Sequence, residues 1–269
     1  MQDELGLNTY SYGWREYDPA IGKFNRLDRF SEKYSELSPY NYAANNPLLY
    51  REIAGDSINV SRLMAFDQVT NANTTQKIIN DLKAITGLNV SVNQSTGLIE
   101  YQKDSNGNPI INQTNGTQVG SSTARNDLIN IINGPEITVS GGRRSVTAGN
   151  EISIGPPQID AFINGTPPEL DNRTLGYGMV LMHEFRHTTA AGGAHDPPLG
   201  STRTGPVVDR VNVYRRELDN NPSTIGSGQF GQRSQYHIDP NASVPSIDFQ
   251  YKDVNRRGKT VTRNTAITF

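Results

Sequence analysis

The sequence predicts an α+β protein, with two helices that carry the chemistry, a small sheet, and a short β-rich segment ahead of them. Three observations predict it. The composition changes near residue 56: seven of the twelve tyrosines and the single tryptophan, Trp14, lie in the first fifty residues. Beyond that point, runs with apolar residues three or four apart alternate with short period-two runs and with turns rich in Gly, Pro and Asn, the mixture expected of helices and strands in one domain. Three of the four histidines, His183, His187 and His195, fall within "LMHEFRHTTAAGGAHD", residues 181 to 196.

The elements follow in chain order. Tyr10, Tyr12 and Trp14 alternate, and Glu16 and Tyr17 run into "DPAIG", which reads as a strand and a tight turn. After Phe24 come loops with Pro39 and Pro47. "NTTQKIINDLKAITG", residues 73 to 87, places Ile78, Ile79, Leu82 and Ile85 at helical spacing with Gly87 as C-cap. "LNVSVNQSTGLIEYQ", residues 88 to 102, alternates around a Gly-containing loop and reads as a hairpin. "TARNDLINIINGPEITV", residues 123 to 139, reads as a helix from Thr123 to Gly134 and then a strand. "NEISIGPPQIDAFINGTPPEL", residues 150 to 170, reads as short strands broken by prolines. Residues 174 to 191 form a helix stopped by Gly192 and Gly193. In "TRTGPVVDRVNVYRRELDNN", residues 202 to 221, a turn leads into a helix from Pro206 to Leu218, Pro206 suiting the first turn. A sheet from residues 88 to 160 is expected to pack behind the two helices and border a substrate cleft.

Bulk properties exclude several classes. The 269 residues allow one large or two modest domains. With 34% hydrophobic residues, a mean hydropathy of −0.59 and no window near the ~18 apolar residues of a membrane span, the composition is polar. The net charge of −2, with Lys and Arg scattered, leaves no footprint for nucleic acid. The absence of cysteine excludes disulfides and thiolate metal sites, so a metal would be held by His and carboxylates. "QDELGLNTYSYG" after Met1 does not read as a signal peptide, so the expectation is a cytoplasmic chain or a piece of a longer one that carries the export information.

"GLNTYSYGWREYDPAIGKFNRLDRF" followed by "YSELSPYNYAANNPL" resembles the C-terminal end of the Rhs/YD-repeat core, over about fifty residues with several spaced anchors. The family's closing Asp-Pro-x-Gly is replaced here by "LLYREIAGDS". The resemblance implies that residues 1–56 belong to a β-shell and that residues 57–269 form a variable toxin or effector domain. It also implies secretion or cell-surface display as part of a larger protein.

His183 and His187 stand at i and i+4 on one helix face, and Glu184 borders it. This is His-Glu-x-x-His. Two imidazoles one turn apart can bind a single Zn²⁺ as neutral ligands, and the adjacent carboxylate can take a proton from a water that the metal acidifies toward ~7. The plain alternative is two surface histidines on a charged face. A third ligand is needed. The metzincin position is occupied by Gly193, and His195 lies two residues later. Asp209, after the Gly-Pro turn, is favoured, with Glu217 and His195 open; Glu217 otherwise belongs to a solvated "RREL". Tyr236 or His237 is a candidate oxyanion donor beside the plain reading of both as surface residues, and Tyr214 reads as core.

An Asp ligand after a Gly-containing turn is similar to the aspzincin arrangement. Residues 175 to 220 resemble zinc peptidase effectors that bacteria inject into host cells and zinc peptidase toxin domains fused to Rhs cores. The resemblance implies a zincin-like fold, Zn²⁺ as cofactor, a protein substrate in a target cell and a cognate immunity protein. Two rival readings are a surface or repeat-protein fragment with a structural zinc site closed by His195 and Asp209, and a degenerate toxin that no longer cuts.

Overall fold

The computed structural model describes residues 10–12, 15–26, 38, 40, 58–197, 203–223, 228–235 and 246–269. The chain divides into two compact units, Met1–Ser57 and Ile58–Phe269.

In the first unit β1 (Tyr10–Tyr12), β2 (Arg15–Asp18) and β3 (Lys23–Phe24) form an antiparallel meander. The "DPAIG" turn forms because the Asp18 carboxylate accepts from the Ala20 amide at 2.8 Å and Gly22 adopts φ 64°. Tyr17 lies opposite Phe24, and their rings meet edge to face. Trp14 lies outside the described residues.

The second unit opens with β4 (Ile58–Asn59), α1 (Ser61–Thr70) and α2 (Thr74–Thr86). The four isoleucine and leucine positions of α2 are buried, as their spacing requires. Asp67 of α1 caps α2, accepting the Thr74 and Thr75 amides at 2.8 and 2.7 Å. Gly87 closes the helix in the left-handed conformation, where a Cβ would come within 2.0 Å of the Val119 carbonyl oxygen. Two hairpins follow, β5 (Val90–Val92) with β6 (Ile99–Tyr101) and β7 (Gln113–Thr114) with β8 (Thr117–Gln118), and then α3 (Ser122–Ile132).

The central sheet contains β9 (Ile137–Gly141), β10 (Val146–Ala148) and β11 (Glu151–Ile154) in the order β10-β11-β9-β4. β4, β9 and β11 run parallel and carry the buried residues Ile58, Ile137, Val139, Ile152 and Ile154. β10 is antiparallel and forms one edge. Residues 88–118 contribute two hairpins outside this sheet, the first touching β4 through an isolated bridge between Leu98 and Asn59.

Residues 150–170 differ from the sequence expectation. Only β11 is a strand, and Pro156 and Pro157 open α4 (Pro156–Asn164). A proline in the first turn lacks only an N–H that has no helical partner there, so the pair starts the helix, and Ile159 and Phe162 turn inward.

Next come α5 (Tyr177–His187) and α6 (Gly205–Asn220), then β12 (Gln232–Arg233) and a long hairpin, β13 (Ser246–Val254) with β14 (Thr260–Thr268). That hairpin, packed inward through Ile247, Phe249 and Ile267, had no counterpart in the sequence reading. α5 is central. It packs on α2, α4, α6, β10 and β11 and buries most of its residues. Gly178 permits the close approach of α5 to α2: a Cβ there would stand 2.5 Å from the Asp81 Cβ, and its amide donates to the Asp81 carboxylate at 3.0 Å. Among the described residues no helix is long and apolar enough to cross a membrane.

Candidate metal centre

The centre lies at the C-terminal end of α5. His183 and His187, one turn apart, bring their Nε2 atoms to 3.2 Å. The helix ends at Thr188, whose hydroxyl donates to the Phe185 carbonyl at 2.7 Å and accepts from the Ala191 amide at 3.2 Å. Gly192 and Gly193, at φ 97° and 62°, then reverse the chain, a path that residues with side chains rarely take. The reversal carries the Ala194 carbonyl to 2.7 Å from His187 Nδ1 and Asp196 Oδ2 to 3.3 Å from His187 Nε2.

His183, His187 and Asp196 each offer one ligand atom, all within 4.8 Å of one another. These donors suit a tetrahedral ion. Bonds of about 2.0–2.1 Å in a tetrahedron separate ligand atoms by about 3.3–3.4 Å, close to the 3.2 and 3.3 Å found here. The Ala194 carbonyl accepts from His187 Nδ1, so Nε2 is the nitrogen that would face a metal, and this is the usual second bond of a metal-binding histidine. Burial, opposed by Asp196 and reinforced by Arg233, His187 and Arg215, pulls His183 down to about 3 and keeps it neutral. His187 is shifted the other way, chiefly by the hydrogen bond to Asp196.

Glu184 is buried beside this group. Thr147 of β10 donates its hydroxyl to Glu184 Oε2 at 2.7 Å. Burial raises the carboxyl above its ordinary range, against the opposing Thr147 bond and the charge of His187. The centre opens into a cavity of about 730 Å³. Ser145 and the β10 residues Val146 and Thr147 form one wall, Phe162, Met179, Val208 and Ile247 are apolar contributors, and Arg215 and Arg233 bring positive charge.

The other candidate residues are elsewhere. Asp209 does not join the histidines. It is exposed on α6 and accepts the Thr204 hydroxyl, because the cavity-facing residues of that helix are Val208 and Arg215, two turns apart, and Asp209 is rotated about 100° from Val208. Glu217 caps α3, accepting from the Ser121 and Ser122 hydroxyls at 2.6 and 3.2 Å and from the Thr123 amide at 2.9 Å. His195 lines the cavity but stands outside the three-residue group. Tyr214 is buried and donates to Asp127. Tyr236 and His237 lie outside the described residues.

Sequence reasoning missed Asp196, Thr147, Arg215 and Arg233. The reach allowed to His195 across the double glycine applied equally to the next residue, so Asp196 was within its logic. Arg215 lay hidden in "YRREL", which looks like a solvated face. The chain matches no protein-family model, no curated protein and no solved structure.

Proposed function

We propose that residues 57–269 form a zinc-dependent endopeptidase of the zincin type, carried behind the Rhs/YD-repeat segment as a secreted toxin or effector domain. The observation that carries this reading is the convergence of His183, His187 and Asp196, with Glu184 beside them, in the lining of one cavity. His183, His187 and Asp196 would hold the ion, Asp196 taking the place first expected for Asp209. When bound, Zn²⁺ acidifies a water and polarises the carbonyl to be cleaved.

Glu184 accepts the proton of the attacking water and returns it to the leaving amide nitrogen. Its burial strengthens it as a proton acceptor. Thr147 occupies Oε2 and so orients the other carboxylate oxygen for that work. The edge strand β10, with Val146 exposed, can take an extended peptide as a further strand alongside the centre. A structural site closed by four protein ligands is less well supported: among the described residues no fourth ligand joins the group, and Asp209 faces away. On the Rhs resemblance, the partners are a target-cell protein and an immunity protein of the producer.

Metal content by plasma mass spectrometry tests the centre. Roughly one zinc per chain is expected, lost in His183→Ala and Asp196→Asn and retained in Asp209→Asn. Glu184→Gln should keep the zinc and lose cleavage of a peptide library. Absence of metal from the wild type after zinc is added back would refute the proposal.

A further inference from the structure

Arg215 has no role in the chemistry above, and its surroundings are unusual. It is 2% exposed, yet it lines the same cavity as His183 and Glu184. Its Nε and Nη2 donate to the Thr174 carbonyl at 3.3 and 2.9 Å, its Nη1 donates to Asn212 Oδ1 at 3.0 Å, and its guanidinium carbon sits 5.3 Å from the centre of the Phe249 ring. A guanidinium has five N–H donors. Two therefore remain unused by the described residues, one on each Nη, and no described carboxylate forms an ion pair with it. Asp219 acts on it electrostatically but has its own oxygens turned to the amides of Phe230 and Gly231, at 2.6 and 3.2 Å.

A second cation stands nearby. Arg233 is 9% exposed, lines the cavity and lowers the proton affinity of both Arg215 and His183. Asn212 ties the two together. Its Oδ1 accepts from Arg215 Nη1 and from the Arg233 amide at 2.9 Å, and its Nδ2 donates to the Arg233 carbonyl at 2.9 Å. Burying a cation such as Arg215 is unfavourable unless an anion accompanies it, and among the described residues no carboxylate pairs with it. A planar fork with one free N–H on each terminal nitrogen fits the two oxygens of a carboxylate.

We propose that Arg215, held by Asn212 and supported by the charge of Arg233, forms a carboxylate-binding subsite in the cavity, so that the ligand taken there carries a carboxylate a short distance from the metal centre. The inference builds on the peptidase reading, under which the carboxylate belongs to the substrate, as an acidic side chain near the scissile bond or as a free C-terminus.

The test is calorimetric titration of the full chain, as purified and again after chelation, with three small probes. N-acetylglutamate α-amide carries only the side-chain carboxylate, N-acetylalanine only the α-carboxylate, and N-acetylglutamine α-amide neither. One of the two acids should bind at least about tenfold more tightly than the neutral amide, with and without chelator. The acid that binds identifies the source. Arg215→Gln should abolish the preference and Arg215→Lys should retain part of it. Circular dichroism checks that each variant folds, and if Arg215→Gln does not, Arg233→Gln should weaken the preference by at least about threefold. Equal binding of acid and amide, or a preference unchanged by the substitutions, overturns the subsite. If the chain cleaves peptides without preferring Glu over Gln at any position or an acid over an amide terminus, the subsite fails and the peptidase reading stands. If it cleaves nothing and holds no zinc, the titration still decides whether the subsite exists.

Discussion

Thr147→Val tests the link between the sheet and Glu184, the proposed base. The substitution keeps the shape of a β-branched side chain on β10 and removes one hydroxyl, which donates to the Glu184 carboxylate at 2.7 Å. Glu184 is buried, so water does not readily replace the bond. A hydrogen bond to a charged group is worth about 1.5–3 kcal/mol, and each 1.4 kcal/mol is about tenfold. If the bond serves to hold the base in its working orientation, kcat/KM for a cleaved peptide should fall about 10- to 150-fold. Zinc content should be unchanged, because the Thr147 hydroxyl bonds to Glu184 and not to His183, His187 or Asp196. Thr147→Ser should recover most of the rate. Assays of peptide cleavage and metal content on the same preparations give both numbers. Wild-type kcat/KM in Thr147→Val would refute the assignment of Thr147 as a positioning residue, and loss of zinc would mean that the change disturbs α5 as a whole.

Three further outcomes are expected. Gly87→Ala forces a Cβ into left-handed backbone and against the Val119 carbonyl, so it should cost more than about 1–2 kcal/mol of unfolding free energy in a urea titration. Asp127 is pushed up by burial, but the hydrogen bonds from Arg210 and Tyr214 outweigh this and hold it below its ordinary 3.8. A depressed carboxyl stabilises the fold at pH above its unfolded value and ceases to do so as pH falls through its folded value. The melting temperatures of wild type and Asp127→Asn should therefore differ at pH 6 and converge below about pH 4; a gap that stays constant with pH would contradict this. Glu217→Ala removes the carboxylate that caps α3 and should destabilise by about 1 kcal/mol without changing metal content, whereas loss of metal would reopen Glu217 as a ligand.

Local rules made four of the second unit's helices and its first hairpin legible, and passed over α1 and the β7–β8 hairpin. α2, α3, α5 and α6 are visible in apolar spacing and in their glycine and proline boundaries, because amphipathic periodicity and caps act within a few residues of chain. The same rules misread α4, where a Pro-Pro pair has two local meanings and only the burial of Ile159 and Phe162 chooses between them. They were silent on the β13–β14 hairpin, whose polar alternation gains a buried face only when the rest of the domain supplies one. The pairing of His183 with His187, and the place of Glu184 beside them, was determined by the sequence alone, since i and i+4 share a helix face whatever surrounds it. The choice of Asp196 over Asp209 was not. It depends on two left-handed glycines that turn a loop back on its own helix and on the rotation of α6, which directs Val208 and Arg215 inward and Asp209 out. Thr147 and Arg215 likewise reach the cavity from positions 36 residues up the chain and 32 down it from His183, and contacts at such separations are decided by packing, which no local pattern encodes.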